Sequence, residues 1–152
     1  MNLIFRQAIF NDLPAIVRML ADDFLGTNRE RLEDPLPESY VKAFEEIEAS
    51  ETNELIVAEL DGAIVGTTQL TFIPGISQLG AKRLLIEAVR VDSKYRGCGI
   101  GKQMMQWAIE RAKTAGCKTV QLTTNNDRKD AHRFYENLGF KGSHLGMKLA
   151  LK

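Results

Sequence analysis

The chain has 152 residues, of which 44% are hydrophobic and 26% are charged, and these proportions are typical of a globular domain. Twenty Lys and Arg residues balance twenty Asp and Glu residues, which argues against a nucleic-acid or anionic-membrane binder. Apolar runs are far shorter than the ~20 residues of a membrane span, and no signal peptide is recognisable. Two cysteines make neither a disulfide framework nor a zinc set. We therefore expect a cytoplasmic protein with a single domain over residues 1–152, no metal, and no nucleic-acid or membrane partner.

The predicted elements begin with a strand and two helices. A strand over residues 3–8 precedes Asn-Asp-Leu-Pro at 11–14, which supplies capping residues and an early proline typical of a helix start. Apolar residues then follow at helical spacing: Ile16, Met19, Leu20 and Phe24. A polar loop over residues 26–37 leads to a second, acidic helix that ends at about Ser50.

The middle of the chain changes to strand periodicity. Residues 54–60 and 63–72 are strand-like, and Asp61-Gly62 between them is a strong hairpin signal. After a loop that contains proline and glycine, residues 84–91 form another strand that is rich in β-forming residues.

The last third of the chain alternates helices and strands. A helix over residues 100–115, a strand over 119–123 and a helix over 130–138 precede a closing segment with strand character over 140–149. Because hairpins come first and helical crossovers later, we predict an α+β fold with a mixed, mostly antiparallel central sheet. About four helices would flank this sheet.

A glycine-rich turn joins the strand that ends at Val91 to the helix that begins at Ile100. Several backbone N–H groups converge at such a junction, and the helix dipole adds partial positive charge. Glycines allow the unusual backbone angles and the close approach of a phosphate, while Arg96 and Lys102 could add formal charge. The residues fit neither a P-loop nor a dinucleotide fingerprint. The alternative is a strand–helix turn with no ligand.

The spacing Arg96-x-x-Gly99-x-Gly101 resembles the signature of the GCN5-related N-acetyltransferases, the GNAT family. The stretch over residues 131–140 resembles the family's second pattern, Ala-x-x-Phe-Tyr-x-x-x-Gly-Phe, and residues 86–91 resemble its fourth strand. The predicted element order matches as well. The resemblance implies a GNAT-like fold and an enzyme that moves an acetyl group from acetyl-CoA to a primary amine by direct attack in a ternary complex.

The resemblance also implies how acetyl-CoA binds. Its pantetheine arm would pair with the backbone of Val89, Arg90 and Val91, like an added strand. Its pyrophosphate would be held by the turn, to which Arg96 also belongs. The backbone N–H groups of this turn come from Gly97, Cys98, Gly99, Ile100, Gly101 and Lys102.

One position departs from the family pattern. Many members carry an asparagine seven residues before the motif tyrosine, where it helps to hold the cofactor arm, and this chain has Arg128 there. Arg128 could instead contact the phosphate end of the cofactor or cap the helix. Asn126, just upstream, is a further candidate for the cofactor contact.

Tyr135 is the candidate general acid. The family often uses a tyrosine at this motif position, and a phenol that stays protonated at neutral pH can donate a proton to the leaving thiolate. The alternative is a core residue, because Tyr135 shares an apolar helical stripe with Ala131 and Leu138.

Glu87 is the candidate general base. It interrupts a run of strand residues, and we expect it to be half-buried near the point where the amine meets the thioester. The alternative is a solvent-facing carboxylate that pairs with Arg83 or Arg90.

Two other activities would share this fold. One is a catalytically silent module that binds or senses acyl-CoA, and the other is an acyltransferase with a longer acyl chain or a different nucleophile. The acceptor, a small-molecule or peptide amine, would be shaped by the loops over residues 26–37 and 74–82, which carry no recognisable motif. A homodimer formed through Trp107 and the closing strand is a further expectation.

Overall fold

Five strands form one sheet in which each strand neighbours the next one along the chain. In the computed structural model, which describes residues 2–23 and 25–152, they are β1 (Leu3–Gln7), β2 (Asn53–Leu60), β3 (Ala63–Ile73), β4 (Arg83–Val91) and β5 (Thr119–Leu122). Phe24, predicted on the apolar side of the first helix, lies outside the described residues.

The sheet is mixed and mostly antiparallel, as predicted. Each of β2, β3 and β4 pairs antiparallel with the strand before it. The Lys118 N–H donates to the Lys82 carbonyl at 2.8 Å, so β5 begins beside the start of β4 and runs parallel to it. A parallel pair needs a long crossover, and helix α3 (Ile100–Thr114) supplies it. Two helices, α1 (Leu13–Ala21) and α2 (Glu38–Ala49), precede α3 in the chain.

Helices pack on both faces of the sheet because successive strand residues point to opposite sides. Val57 of β2 is buried against residues of α1 and α2, and its neighbour Ala58 is buried against residues of α3. The first cluster consists of Leu13, Ile16, Phe44 and Val57. The second consists of Ala58, Leu60, Val65, Ile100 and Met104. A fourth helix, α4 (Lys129–Asn137), completes the α-helices of the described residues, apart from a single turn at Ser77–Gly80 in which Gln78 and Leu79 have positive φ.

The predicted hairpin is confirmed. Leu60 and Ala63 face each other in the ladder between β2 and β3, so only Asp61 and Gly62 form the connection. Both have positive φ values, 49° and 89°. This is the combination that a type I′ turn requires.

The chain divides into two compact units, residues 1–121 and residues 122–152. The second unit contains α4 and a C-terminal tail, which we define as residues 141–152. The predicted closing strand over residues 140–149 is wrong, because no described residue from 140 to 152 is part of a strand. An alternating apolar pattern becomes a strand only where backbone and apolar face both meet a partner. Among the described residues, no helix has the length and apolar character to cross a membrane.

A buried carboxylate at the N-cap position of α1 joins this helix to β1. Asp12 is 6% exposed, and its Oδ2 accepts from Arg6 Nη1 at 2.8 Å and from the Ile9 N–H at 2.8 Å. The same guanidinium reaches Glu59 of β2 through Nη2 at 2.9 Å. Burial by itself would raise the pKa of Asp12, but the hydrogen bonds from Arg6 and Ile9 outweigh it and hold the pKa below its ordinary value.

Replacing Asp12 by asparagine should lower the free energy of unfolding by about 1–3 kcal/mol, because Arg6 and the Ile9 N–H lose a charged acceptor. A carboxylate whose pKa is lower in the folded state than in the unfolded state stabilises the fold at pH values above its unfolded-state pKa. This stabilisation is lost as the pH falls through the folded-state pKa. The difference in the free energy of unfolding between wild type and Asp12→Asn, measured with urea, should therefore shrink below about pH 4. Glu33→Gln, which alters an exposed pair with Arg31, is the control and should change little. A difference that is constant from neutral to acidic pH would contradict this role for Asp12.

Candidate functional site

Strand β4 carries a bulge in its second half. Arg90 faces Thr67 in the ladder and Glu87 faces Gln69, so β4 holds one more residue than β3 between these pairs. Ala88 lies in the bulge with a φ of 52°. The bulge leaves residues outside the ladder and changes the direction of the strand just before Val91.

The end of β4 also extends past its other neighbour. Strand β5 has four residues and begins beside the first residues of β4, so at equal rise per residue it ends before β4 reaches Val89. In the described strands, Arg90 and Val91 pair with β3 on one side, Val89 lies in the bulge, and none of the three has a strand beside it on the other side. This is the arrangement that strand addition by an extended ligand uses.

The glycine-rich turn forms an open nest at the N-terminus of α3. Gly97 and Gly99 have φ values of 79° and 82°, and Gly99 occupies the N-cap position of the helix. A Cβ atom built on either glycine meets nothing within 4 Å. Backbone N–H groups in such a turn converge on a concavity that suits an anion, and the 15-residue helix adds its dipole. The residues present therefore fit a phosphate group.

Arginine side chains connect the segment after α1 to the end of β4. Arg90 Nε lies 3.0 Å from Asp23 Oδ2, and both side chains are largely buried. Arg96 donates from Nε to the Val91 carbonyl at 3.3 Å and from Nη2 to the Asp22 carbonyl at 3.4 Å. The Arg96 guanidinium, expected to add charge for a phosphate, thus holds the turn against neighbouring backbone. No local sequence signal could reveal these contacts, because the partners lie about 70 residues apart in the chain.

Glu87 is exposed, and the expectation of a half-buried carboxylate is wrong. The alternation of β4 directs Leu84 and Ile86 into the core, with 0% and 1% exposure, so Glu87 falls nearer to solvent. The alternative ion pairs are not formed either: among the described residues, neither Arg83 nor Arg90 pairs with it. The carboxylate is therefore accessible to a molecule that approaches the strand.

Other polar side chains lie close to Glu87 in the sheet. Gln69 faces Glu87 in the ladder, and its Nε2 lies 3.4 Å from Asn53 Oδ1. Thr71 donates to the same Asn53 oxygen at 2.8 Å. We call Asn53, Gln69, Thr71 and Glu87 the polar sheet face. The polar sheet face was not predicted from the sequence because its members come from three strands, although their alternation with core residues was a usable signal.

The remaining predicted site residues belong to the second unit. Tyr135 is half-buried in α4, and its ring centroid lies 5.2 Å from Phe134 and 6.0 Å from Phe140. The ring therefore packs against neighbouring aromatic side chains without being part of the buried core, and the role of its hydroxyl stays a prediction. Arg128 occupies the N-cap position of α4, where its backbone carbonyl accepts from the first turn and its side chain does not cap. Asn126 is exposed.

A family model described as the acetyltransferase (GNAT) family matches residues 13–140 of the chain. The chain belongs to the GNAT acetyltransferase family. The resemblance predicted from the two motifs is thereby confirmed, and the nest lies at the junction where the first of those motifs was found.

Three similar proteins illustrate the relationship. An aminoalkylphosphonate N-acetyltransferase from Salmonella typhimurium is 48% identical over 66 residues, which are 43% of this chain and 43% of that protein. A glucosamine 6-phosphate N-acetyltransferase from Trypanosoma brucei brucei is 36% identical over 90 residues, 59% of each chain. The alignments thus span about half the length of these curated relatives. The crystal structure of a transcriptional regulator from Bacillus halodurans C-125 is 53% identical, with a TM-score of 0.96 over 99% of this chain and 100% of that one.

Proposed function

We propose that this GNAT chain, as a single domain over residues 1–152, is an acetyl-CoA-dependent N-acetyltransferase that acts on a primary amine. The observation that carries the proposal is the open nest at the N-terminus of α3, directly after the bulged end of β4. The end of β4 and the nest thereby offer an extended backbone followed directly by an anion site. A ligand with an extended arm and a pyrophosphate requires this combination.

Acetyl-CoA would lie along the end of β4. The backbone of Val89, Arg90 and Val91 would pair with its pantetheine arm, and this is supported by the shortness of β5. The turn from Arg96 to Lys102 would hold the pyrophosphate, with the exposed Lys102 side chain adding charge. In the second unit, Asn126 and Arg128 are proposed as further cofactor contacts.

The reaction needs a neutral amine, which forms a bond to the thioester carbonyl carbon while the C–S bond breaks. We assign the proton of the attacking amine to Glu87, directly or through water, and the proton received by the leaving thiolate to Tyr135. The exposure of Glu87 supports its access to an amine that arrives from solvent.

The acceptor would lie against the polar sheet face. Two relatives are named for acceptors that combine a primary amine with a phosphonate or phosphate group. We therefore propose small amines with such an anionic group as the first acceptors to examine, ahead of peptide amines. Arg83 is half-exposed at the first position of β4, at the opposite end of the strand from the bulge. Its guanidinium is a cation available to the phosphonate or phosphate group of the acceptor.

The test is a screen for acceptor-dependent release of free CoA. Aminoalkylphosphonates and glucosamine 6-phosphate should stimulate release from acetyl-CoA more than polyamines, aminoglycosides, amino acids or peptides. Binding of CoA without stimulated release by any amine would exclude the proposed transfer. It would favour the silent module instead.

Glu87→Gln should lower the acetyl-transfer rate by about 100-fold, since general-base catalysis contributes on that scale. A base must be deprotonated to act, so the wild-type rate should fall at acidic pH, and this limb should vanish in the variant. The measurement is a pH–rate profile with a stimulating acceptor, together with CoA titration, which should be unchanged. Glu110→Gln, an exposed carboxylate of α3, is the control. An identical profile in wild type and Glu87→Gln would remove the base assignment.

The second candidate function is a catalytically silent module that binds acyl-CoA. The observation in its favour is that the 53% identical relative is described as a transcriptional regulator. A homodimer also remains a proposal.

A further inference from the structure

Two adjacent threonines of β3 place their hydroxyls inside the protein. Thr67 and Thr68 are 1% and 0% exposed. Thr67 Oγ1 donates to the Ile56 carbonyl of β2 and Thr68 Oγ1 to the Glu87 carbonyl of β4, each at 2.9 Å. Valine has nearly the same shape and would fill either position without burying a polar group. The value of each hydroxyl therefore lies in the carbonyl that it reaches.

Thr68 lies opposite the bulge of β4. In the ladder, this single residue of β3 faces two residues of β4, Ala88 and Val89. A bulge disrupts the backbone ladder locally, and the Thr68 hydroxyl donates to the carbonyl of Glu87, the residue just before the bulge. The carbonyl that accepts from Thr67 lies instead in a regular part of the ladder between β2 and β3. Of these two hydroxyls, that of Thr68 acts at the bulge.

The hydrogen bond from Thr68 fixes the orientation of one peptide group. The Glu87 carbonyl and the Ala88 N–H belong to the same planar trans peptide and point in opposite directions. Because the carbonyl is turned toward Thr68, the Ala88 N–H points away from β3. Ala88 has a φ of 52°, and a residue other than glycine keeps such an angle only where its surroundings impose it. The Thr68 hydroxyl is a constraint of this kind.

We propose that Thr68 is a positioning residue for acetyl transfer. The ψ angle of Glu87 and the φ angle of Ala88 flank the peptide group that Thr68 holds. The same two angles lie between the Glu87 carboxylate and the backbone of residues 89–91, so they set the distance from the carboxylate to a ligand bound along that backbone. Thr68 is fully buried and thereby aligns the proposed base with the acetyl-CoA arm without touching the reacting atoms. The consequence for catalysis rests on the proposed function, whereas the hold on the bulge does not.

The hold on the bulge is tested by NMR spectroscopy of the CoA-free protein. Thr68→Val removes the hydroxyl and keeps the shape of the side chain, so the ¹³Cα and ¹³Cβ shifts of Ala88, which report its φ, should leave the left-handed range. Thr67→Val is the matched control, since Thr67 is adjacent, equally buried and bonded at the same distance. It should leave the Ala88 shifts in place. Wild-type Ala88 shifts in Thr68→Val would overturn the proposal.

A second pair of variants keeps this test available if Thr68→Val does not fold. Thr68→Ser and Thr68→Ala both lose the methyl group and differ from each other by the hydroxyl alone. Only Thr68→Ser should keep the wild-type shifts of Ala88, and equal shifts in the two variants would overturn the proposal. The NMR comparison needs no acceptor, so it can overturn the hold on the bulge even if the chain transfers no acetyl group.

The effect on transfer is measured with the same variants and a stimulating acceptor. In Thr68→Val, kcat should fall by at least about 10-fold, because a small displacement of a catalytic group is costly, and it should recover in Thr68→Ser. KM for acetyl-CoA should stay unchanged, since the ladder pairs of Arg90 and Val91 still hold the end of β4. Thr67→Val should lose similar thermal stability and keep the wild-type kcat. Equal kcat values in Thr67→Val and Thr68→Val would overturn the positioning role.

Discussion

Gly99→Val should weaken CoA binding by about 100-fold or more and leave the chain folded. Gly99 has a φ of 82°, and a left-handed conformation costs a β-branched residue roughly 1–2 kcal/mol or more. A Cβ atom at this position meets nothing within 4 Å, so the variant can relieve the backbone strain by rotating the peptide groups of the turn. This rotation redirects the N–H groups of the nest and leaves the core unchanged. Each backbone N–H group that no longer points at the phosphate loses a charge-assisted hydrogen bond worth about 1.5–3 kcal/mol. Isothermal titration with CoA measures the loss.

Gly116→Val is the matched control for this experiment. Gly116 has a φ of 81°, and its Cβ position is equally open, but it follows α3 at the opposite end of the helix. Both variants should lose similar thermal stability, and only Gly99→Val should lose affinity. Equal affinities in the two variants would mean that the nest does not bind CoA.

Tyr135→Phe should lower the rate of acetyl transfer by roughly 100-fold and change the free energy of unfolding by less than about 1.5 kcal/mol. The phenyl ring keeps the contacts of Tyr135 with Phe134 and Phe140, so packing area is retained. Only the hydroxyl proposed to protonate the thiolate is removed. Single-turnover acetyl transfer and thermal melting of the same variant separate the two roles.

The control for Tyr135→Phe is Tyr95→Phe. Tyr95 is half-buried and packs against the cluster that contains Ile100 and Met104. Its hydroxyl has no proposed part in the reaction, so its loss should leave the transfer rate unchanged. If Tyr135→Phe melts far earlier while its rate per folded molecule is retained, Tyr135 is a packing residue.

Features that depend on neighbouring residues were predictable from the sequence alone. Asp61-Gly62 requires a tight turn whatever surrounds it, because few residues adopt two successive positive φ values. The junction between Val91 and Ile100 likewise combines glycines with a helix start over a few positions. Family membership followed from the same local patterns, since the two motifs are short and contiguous.

Features that depend on register or distant partners were decided by the tertiary structure. The bulge at Ala88 and the inward direction of Ile86 leave Glu87 in solvent, and strand composition does not specify a bulge. The contacts of Arg90 with Asp23 and of Arg96 with Asp22 join segments about 70 residues apart, which no periodicity encodes. The apolar alternation at the C-terminus predicted a strand, but no described residue from 140 to 152 is part of one, because alternation does not supply the neighbouring strand that pairing requires.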